Sequence, residues 1–116
     1  MFRFETLDIW KMGISYCEKI LDVADEFPQK VQFSLGSQLR SSSLSISNNI
    51  AEGSGSHSKQ EFRSFLNFSI RSTYETVSAL FIAKNKSYIT KEKFSELYAE
   101  GEVLAKKIRA FRACIQ

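Results

Sequence analysis

LDIWKMGISYCEKILDVADEFP, residues 7–28, is the stretch whose period decides the fold. Leu7, Trp10, Ile14, Cys17, Leu21 and Ala24 recur at alternating steps of three and four, the period of a helix that packs against neighbours. Pro28 has no amide donor and disfavours helical geometry at Phe27, so a first helix is expected from about Leu7 to Glu26. A second apolar row, Ile9, Met12, Tyr16, Ile20, Val23 and Phe27, lies beside the first. At about 100° per residue the two rows span an arc of about 200°, roughly twice what a surface helix needs. Such a helix is covered on two sides, by a central place in its own bundle or by another subunit. The subunit is preferred, because four helices of this length each keep an outer face. Ile9, Met12, Tyr16 and Ile20 are therefore the expected oligomer contacts, while Asp8, Lys11, Ser15, Glu18, Asp22 and Asp25 keep the rest of the helix wet.

The same period continues downstream. Leu35, Leu39, Ile46 and Ile50 form the core stripe of a second helix from about Ser34 to Glu52. Ser42, Ser43 and Gly53 lie on its inner side, and small side chains there let helix axes approach closely. Gly53-Ser54-Gly55-Ser56-His57 is expected to be a loop, with Gly53 ending the helix in the left-handed conformation. Ser58-Lys59-Gln60-Glu61 has the form of a capping box and opens a third helix that runs to about Asn85. Its apolar set, Phe62, Phe65, Leu66, Phe68, Ile70, Val77, Leu80, Phe81 and Ile82, covers most of the circumference, which predicts the most buried helix of the four. Thr90 caps a fourth helix, Glu92 complements its dipole, and Phe94, Leu97, Gly101, Leu104, Ile108, Phe111 and Ile115 form its stripe. Short connections between long helices imply an all-α, antiparallel, up-down-up-down four-helix bundle, one domain over residues 1–116.

Composition agrees with this and narrows the chemistry. With 43% apolar residues in 116, ten Phe, one Pro and five Gly, the chain suits long helices around one core. No basic region followed by an apolar run opens the sequence, and no run of about 18 apolar residues occurs, so a cytoplasmic protein without membrane contact is expected. Cys17, Cys114 and the one histidine, His57, fall short of the roughly four ligands of a zinc site, and Cys17 reads as a small buried hydrophobe. Gly53-Ser54-Gly55 follows a helix and lacks the G-K-[ST] ending of a phosphate loop. With no nucleophile set beside a base, the expectation is neither enzyme nor cofactor. Glu52 and Glu75 read as partners in ion pairs or amide hydrogen bonds, with Arg40, Arg63 and Arg71 as candidates to pair with them or to face phosphates.

Charge is unevenly spread. Residues 1–33 carry four Lys/Arg against six Asp/Glu, and residues 84–116 carry eight against four. Lys106, Lys107, Arg109 and Arg112, together with Arg40, are the candidate nucleic-acid contacts, although the four on the last helix fall on different sides of its wheel.

Phe33 to Arg40, Ser45-Ile46-Ser47-Asn48-Asn49-Ile50-Ala51-Glu52-Gly53, then Ser58, Glu61-Phe62 and Phe65-Leu66, resemble the signature of the bacterial four-helix bundle proteins encoded in intervening sequences of large-subunit ribosomal RNA genes. Phe4, Leu7, Trp10 and Phe27-Pro28 fit as well, so the resemblance covers nearly the whole chain. The element Asn49-Ile50-Ala51-Glu52-Gly53 is a fairly specific part of it. The chain departs from the pattern at Ser41, where a second arginine is usual, and at Arg71-Ser72, where a Gly-Ser pair is usual. Members are similar to the accessory protein of diversity-generating retroelements, a pentameric, positively charged barrel that binds a reverse transcriptase and nucleic acid. The resemblance thus implies a homo-oligomer, a pentameric ring, serving as a nucleic-acid-binding scaffold for RNA or DNA. The competing expectation is a protein-interaction adaptor, for a reverse transcriptase or a ribosome-associated factor.

Overall fold

In the computed structural model, which describes residues 1–115, four helices follow one another: α1 (Asp8–Asp25), α2 (Ser37–Ser54), α3 (Lys59–Asn85) and α4 (Lys91–Ala113). Each touches two others, α1 with α2 and α4, and α3 with α2 and α4, so the helices stand at the corners of a square in chain order. The pairs of residues that meet run in opposite directions along the seams between consecutive helices. Asp25 meets Arg40 while Cys17 meets Ser43, and Phe81 meets Phe94 while Asn67 meets Arg112. The bundle is antiparallel and measures 44 × 23 × 21 Å.

Helix ends follow local chemistry. The Ser58 hydroxyl accepts from the Glu61 amide at 3.2 Å and the Thr90 hydroxyl from the Lys93 amide at 3.0 Å, each satisfying an orphan donor of the first turn. The capping box at Ser58 closes only by half, because the Glu61 carboxylate accepts from the Ser56 hydroxyl at 2.9 Å instead of from the Ser58 amide. Between α1 and α2 the chain makes a 3-10 turn (Gln29–Val31) and a π turn (Gln32–Gly36). The Gln32 amide nitrogen donates to the carbonyls of Ala24 and Phe27 at 3.0 and 2.9 Å, which closes the end of α1.

Three sequence expectations are corrected. Ile9, Tyr16 and Ile20 are 4%, 0% and 0% exposed within the single chain, so they are the inner face of α1 and not a subunit contact; Met12 beside them is half-buried. In a square bundle α1 has two neighbours at right angles, and these fill its wide arc without another chain. Gly53 does not end α2 in the left-handed region: it lies inside the helix, which runs on to Ser54, and Gly55 caps it with φ of −86°. α3 is also less enclosed than its composition predicts, since Phe68, Phe81 and Ile82 are 46%, 41% and 53% exposed. A corner helix can bury only the side that faces its two neighbours.

The α2–α3 seam is built from small polar residues. Ser42, Ser69, Thr73 and Thr76 are all buried, yet none is left without a partner among the described residues. Ser42 and Thr76 bond across the seam at 2.8 Å, Ser69 donates to the Ile46 carbonyl at 2.7 Å, and Ser72 donates to Ser45 at 2.9 Å. Thr73 and Thr76 donate back to carbonyls four residues earlier. At the end of the seam a Cβ on Gly53 would stand 2.7 Å from Phe65 Cβ and 2.8 Å from Phe62 Cδ1. The glycine is required by the closeness of α3, not by a backbone angle.

On the α1–α4 seam the buried Tyr16 hydroxyl donates to the Leu97 carbonyl at 2.9 Å. Burial, helped by the Glu100 carboxylate, pushes this phenol well above its usual range. Lys19 reaches Glu100 at 2.6 Å, and this hydrogen bond and charge raise the ammonium's pKa.

Candidate nucleic-acid interface

The α3–α4 seam differs in kind from the others. Its floor is low because Gly101 has no side chain: a Cβ there would meet Tyr16 Oη at 2.7 Å and Val77 Cγ2 at 2.8 Å. Its rims are high because large side chains stand on both helices, Tyr74 and Phe81 on α3, Tyr98, Lys106 and Arg109 on α4. The result is an open groove of about 450 Å³ whose base is Thr73, Val77, Gly101 and Ala105.

Aromatic faces and cations alternate along it. Arg109 donates to the Tyr74 hydroxyl at 2.9 Å and lies 5.9 Å from that ring's centre. Phe81 meets Tyr98 edge-on at 6.0 Å and Phe94 at 4.8 Å, and the Lys84 ammonium lies 5.1 and 4.5 Å from the Phe81 and Phe94 rings. Toward the C-terminus of α4 the seam continues into a polar hollow of about 420 Å³ lined by Gln60, Arg63, Ser64, Asn67 and Arg112. There Arg112 donates to Asn67 Oδ1 at 2.8 Å and Arg63 to the Ile115 carbonyl at 3.0 Å.

Among the described residues, five cations, Arg63, Lys84, Lys106, Arg109 and Arg112, thus share one face with a single lining carboxylate, Glu102. From Arg63 to Lys84 this face spans about 30 Å of α3. Among the described residues the ion pairs are Lys19–Glu100, Arg40–Asp25 and Lys93–Glu96, so none of the five is neutralised by a carboxylate.

Of the contacts expected from sequence, Lys106, Arg109 and Arg112 come together here. Lys107 is exposed but, about 100° further round α4, it turns away from α3 and toward the α1 side. Arg40 stands apart from them on α2, which is diagonal to α4 in the square. Its guanidinium lies against Gly36 and donates to the Gln32 carbonyl at 3.2 Å, to the Gln32 side chain and to Asp25 at 3.1 Å, so it holds the α1–α2 connection together. Arg40 therefore does not join the cations of this face: three of its N–H donors serve that connection, and its charge is paired with Asp25.

The element Asn49–Gly53 is mostly packing. The Asn49 amide donates to the Ser45 carbonyl and hydroxyl at 2.8 and 2.9 Å, Ile50 is fully buried, Ala51 is half-buried and Gly53 admits α3; only Glu52 faces solvent. Glu75 accepts an amide hydrogen bond from Gln38 at 3.2 Å, on the surface and not inside the bundle. Arg63, Lys84, Tyr74, Phe81 and Tyr98 had not been assigned to one site. Their spacing carried a signal, since Tyr74, Phe81 and Lys84 recur at helical steps on α3 as Tyr98, Lys106 and Arg109 do on α4.

Fold and surface together define an antiparallel four-helix bundle with one unneutralised, aromatic-lined basic face. The chain belongs to the 23S rRNA-intervening sequence protein family, whose model matches residues 5–110. Among solved structures it is similar to a protein of unknown function from the S23 ribosomal protein family of Bacteroides thetaiotaomicron, with 20% identity, a TM-score of 0.84, and coverage of 90% of this chain and 97% of that one. At that identity the likeness establishes the fold alone. A comparison with curated proteins gives no match. No described helix is long and apolar enough to cross a membrane.

Proposed function

We propose that the protein is a non-enzymatic accessory that binds RNA or DNA through the α3–α4 face and works as a homo-oligomer in the cytoplasm. The observation that carries this is the set of five cations opposed by one carboxylate, with neutral hydrogen-bond partners such as Asn67, Tyr74 and the Ile115 carbonyl in place of ion pairs. Such partners orient a guanidinium without cancelling its charge, which leaves it available to phosphate. Contacts between copies lie outside the buried Ile9 row; Leu44 and Val103, 49% and 48% exposed, are apolar surface available for them. Repetition of the basic face around a ring would strengthen attraction for a polyanion.

The test is the affinity for a short structured RNA measured against salt. Binding is expected to weaken linearly in log–log form, and Lys106→Ala with Arg109→Ala to reduce the slope by about 2. Affinity indifferent to salt, or a double variant that binds as before, overturns the proposal. The adaptor is the second reading, favoured by Phe68 and Leu44 exposed on the α2 and α3 surfaces, and it would survive that result.

A further inference from the structure

Cations alone would serve any polyanion, but the groove offers more than cations. Tyr74, Phe81 and Tyr98 are 59%, 41% and 40% exposed, and the groove base between them is formed by Val77, Gly101, Ala105 and Thr73, whose hydroxyl is turned to the Ser69 carbonyl. An apolar base does nothing for a phosphate, which it would only desolvate. It suits a flat, weakly polar body such as a nucleobase, whose face stacks on a ring while its backbone stays at the rim. The rim is where the charge is: Lys106 and Arg109 on α4, and Lys84 beside Phe81 on α3. The Arg109–Tyr74 hydrogen bond fixes one ring, and the edge-on Phe81–Tyr98 contact, at 87° between planes, fixes two more. Rings held this way cost little conformational entropy when a base arrives.

We infer that this groove takes single-stranded nucleic acid, with unpaired bases stacking on Tyr74, Phe81 and Tyr98 and phosphates held by Lys84, Lys106 and Arg109. The inference rests on the nucleic-acid reading of the α3–α4 face and narrows it. In a duplex the base faces are occupied by one another, so a duplex engages the cations and gains nothing from the aromatic rings. A single strand gains both, and base–aromatic stacking is tolerant of sequence because every base has a π-face.

The experiment uses the full chain and a labelled single-stranded oligonucleotide of about 10 nucleotides, followed by anisotropy, beside the same strand annealed to its complement. Tyr74→Leu and Tyr98→Leu keep the groove apolar and remove the rings; thermal melting checks that each variant is folded. Tighter binding of the single strand is expected, and each substitution is expected to weaken it roughly 5- to 150-fold. For Tyr98→Leu, whose ring holds no cation, duplex affinity and both salt slopes are expected to stay as they were. Ring variants that bind the single strand unchanged, or a duplex bound as tightly as the single strand, overturn the inference and leave the basic-face proposal standing. Binding of neither form at low salt overturns both and points to an acidic protein partner for the groove.

Discussion

The two seams that α3 makes, with α2 on one side and α4 on the other, show two ways of joining helices. Toward α2 the side chains are Ser, Thr and Gly, the backbones come close, and hydroxyls bridge the gap at 2.7 to 2.9 Å. Toward α4 they are Tyr, Phe, Lys and Arg, which stand up from a low base and leave an open groove. The first seam is finished within the chain, because its polar atoms have partners. The second is unfinished, since ring faces and unneutralised cations still point to solvent. One helix carries both, so function here follows from the size of the side chains at each boundary.

The contrast predicts opposite responses to added volume. Gly53→Ala is expected to have the largest effect, a loss of about 2 kcal/mol. The new Cβ collides with Phe65 Cβ, an atom fixed to the backbone, and the overpacking outweighs the better helix propensity of alanine. Thermal melting reads this as a fall of several degrees. An unchanged melting temperature would show that the α2–α3 seam is looser than described.

Thr76→Val is expected to cost about 1 kcal/mol, since it removes the hydroxyl that accepts from Ser42 and donates to the Ser72 carbonyl. In a double-mutant cycle with Ser42→Ala the two losses should fall short of additive, because each substitution alone strands part of the same bond. Full additivity would remove the cross-seam bond from the account. Ser78→Leu, which puts volume into the open groove, is expected to change stability by less than about 0.5 kcal/mol. A loss as large as that of Gly53→Ala would erase the distinction between the seams.

Much of the fold was legible because its causes are local. A 3.6-residue period, the ring of Pro28 and the hydroxyls of Ser58 and Thr90 act within a turn of where they stand, and they place the helix ends within a few residues. Gly53 was misread for the complementary reason. Before Ser54-Gly55 it has the look of a helix terminator, whereas the residues that require it, Phe62 and Phe65, belong to the next helix. Likewise the wide arc of α1 announced a second cover, expected to be another subunit, and within the chain Ile9, Tyr16 and Ile20 are already buried. In α4, residue spacing put Lys106, Lys107, Arg109 and Arg112 on different sides of the wheel, and only the position of α3 made three of them one face.

The sequence by itself therefore determined four helices, their order, their approximate ends and the charge carried by the last of them. These depend on interactions between residues a few positions apart. The tertiary structure decided which apolar row became core, which glycine admitted a neighbour, and which cations were left without a carboxylate. Those outcomes depend on what lies across a seam, and an amphipathic period says only that something does.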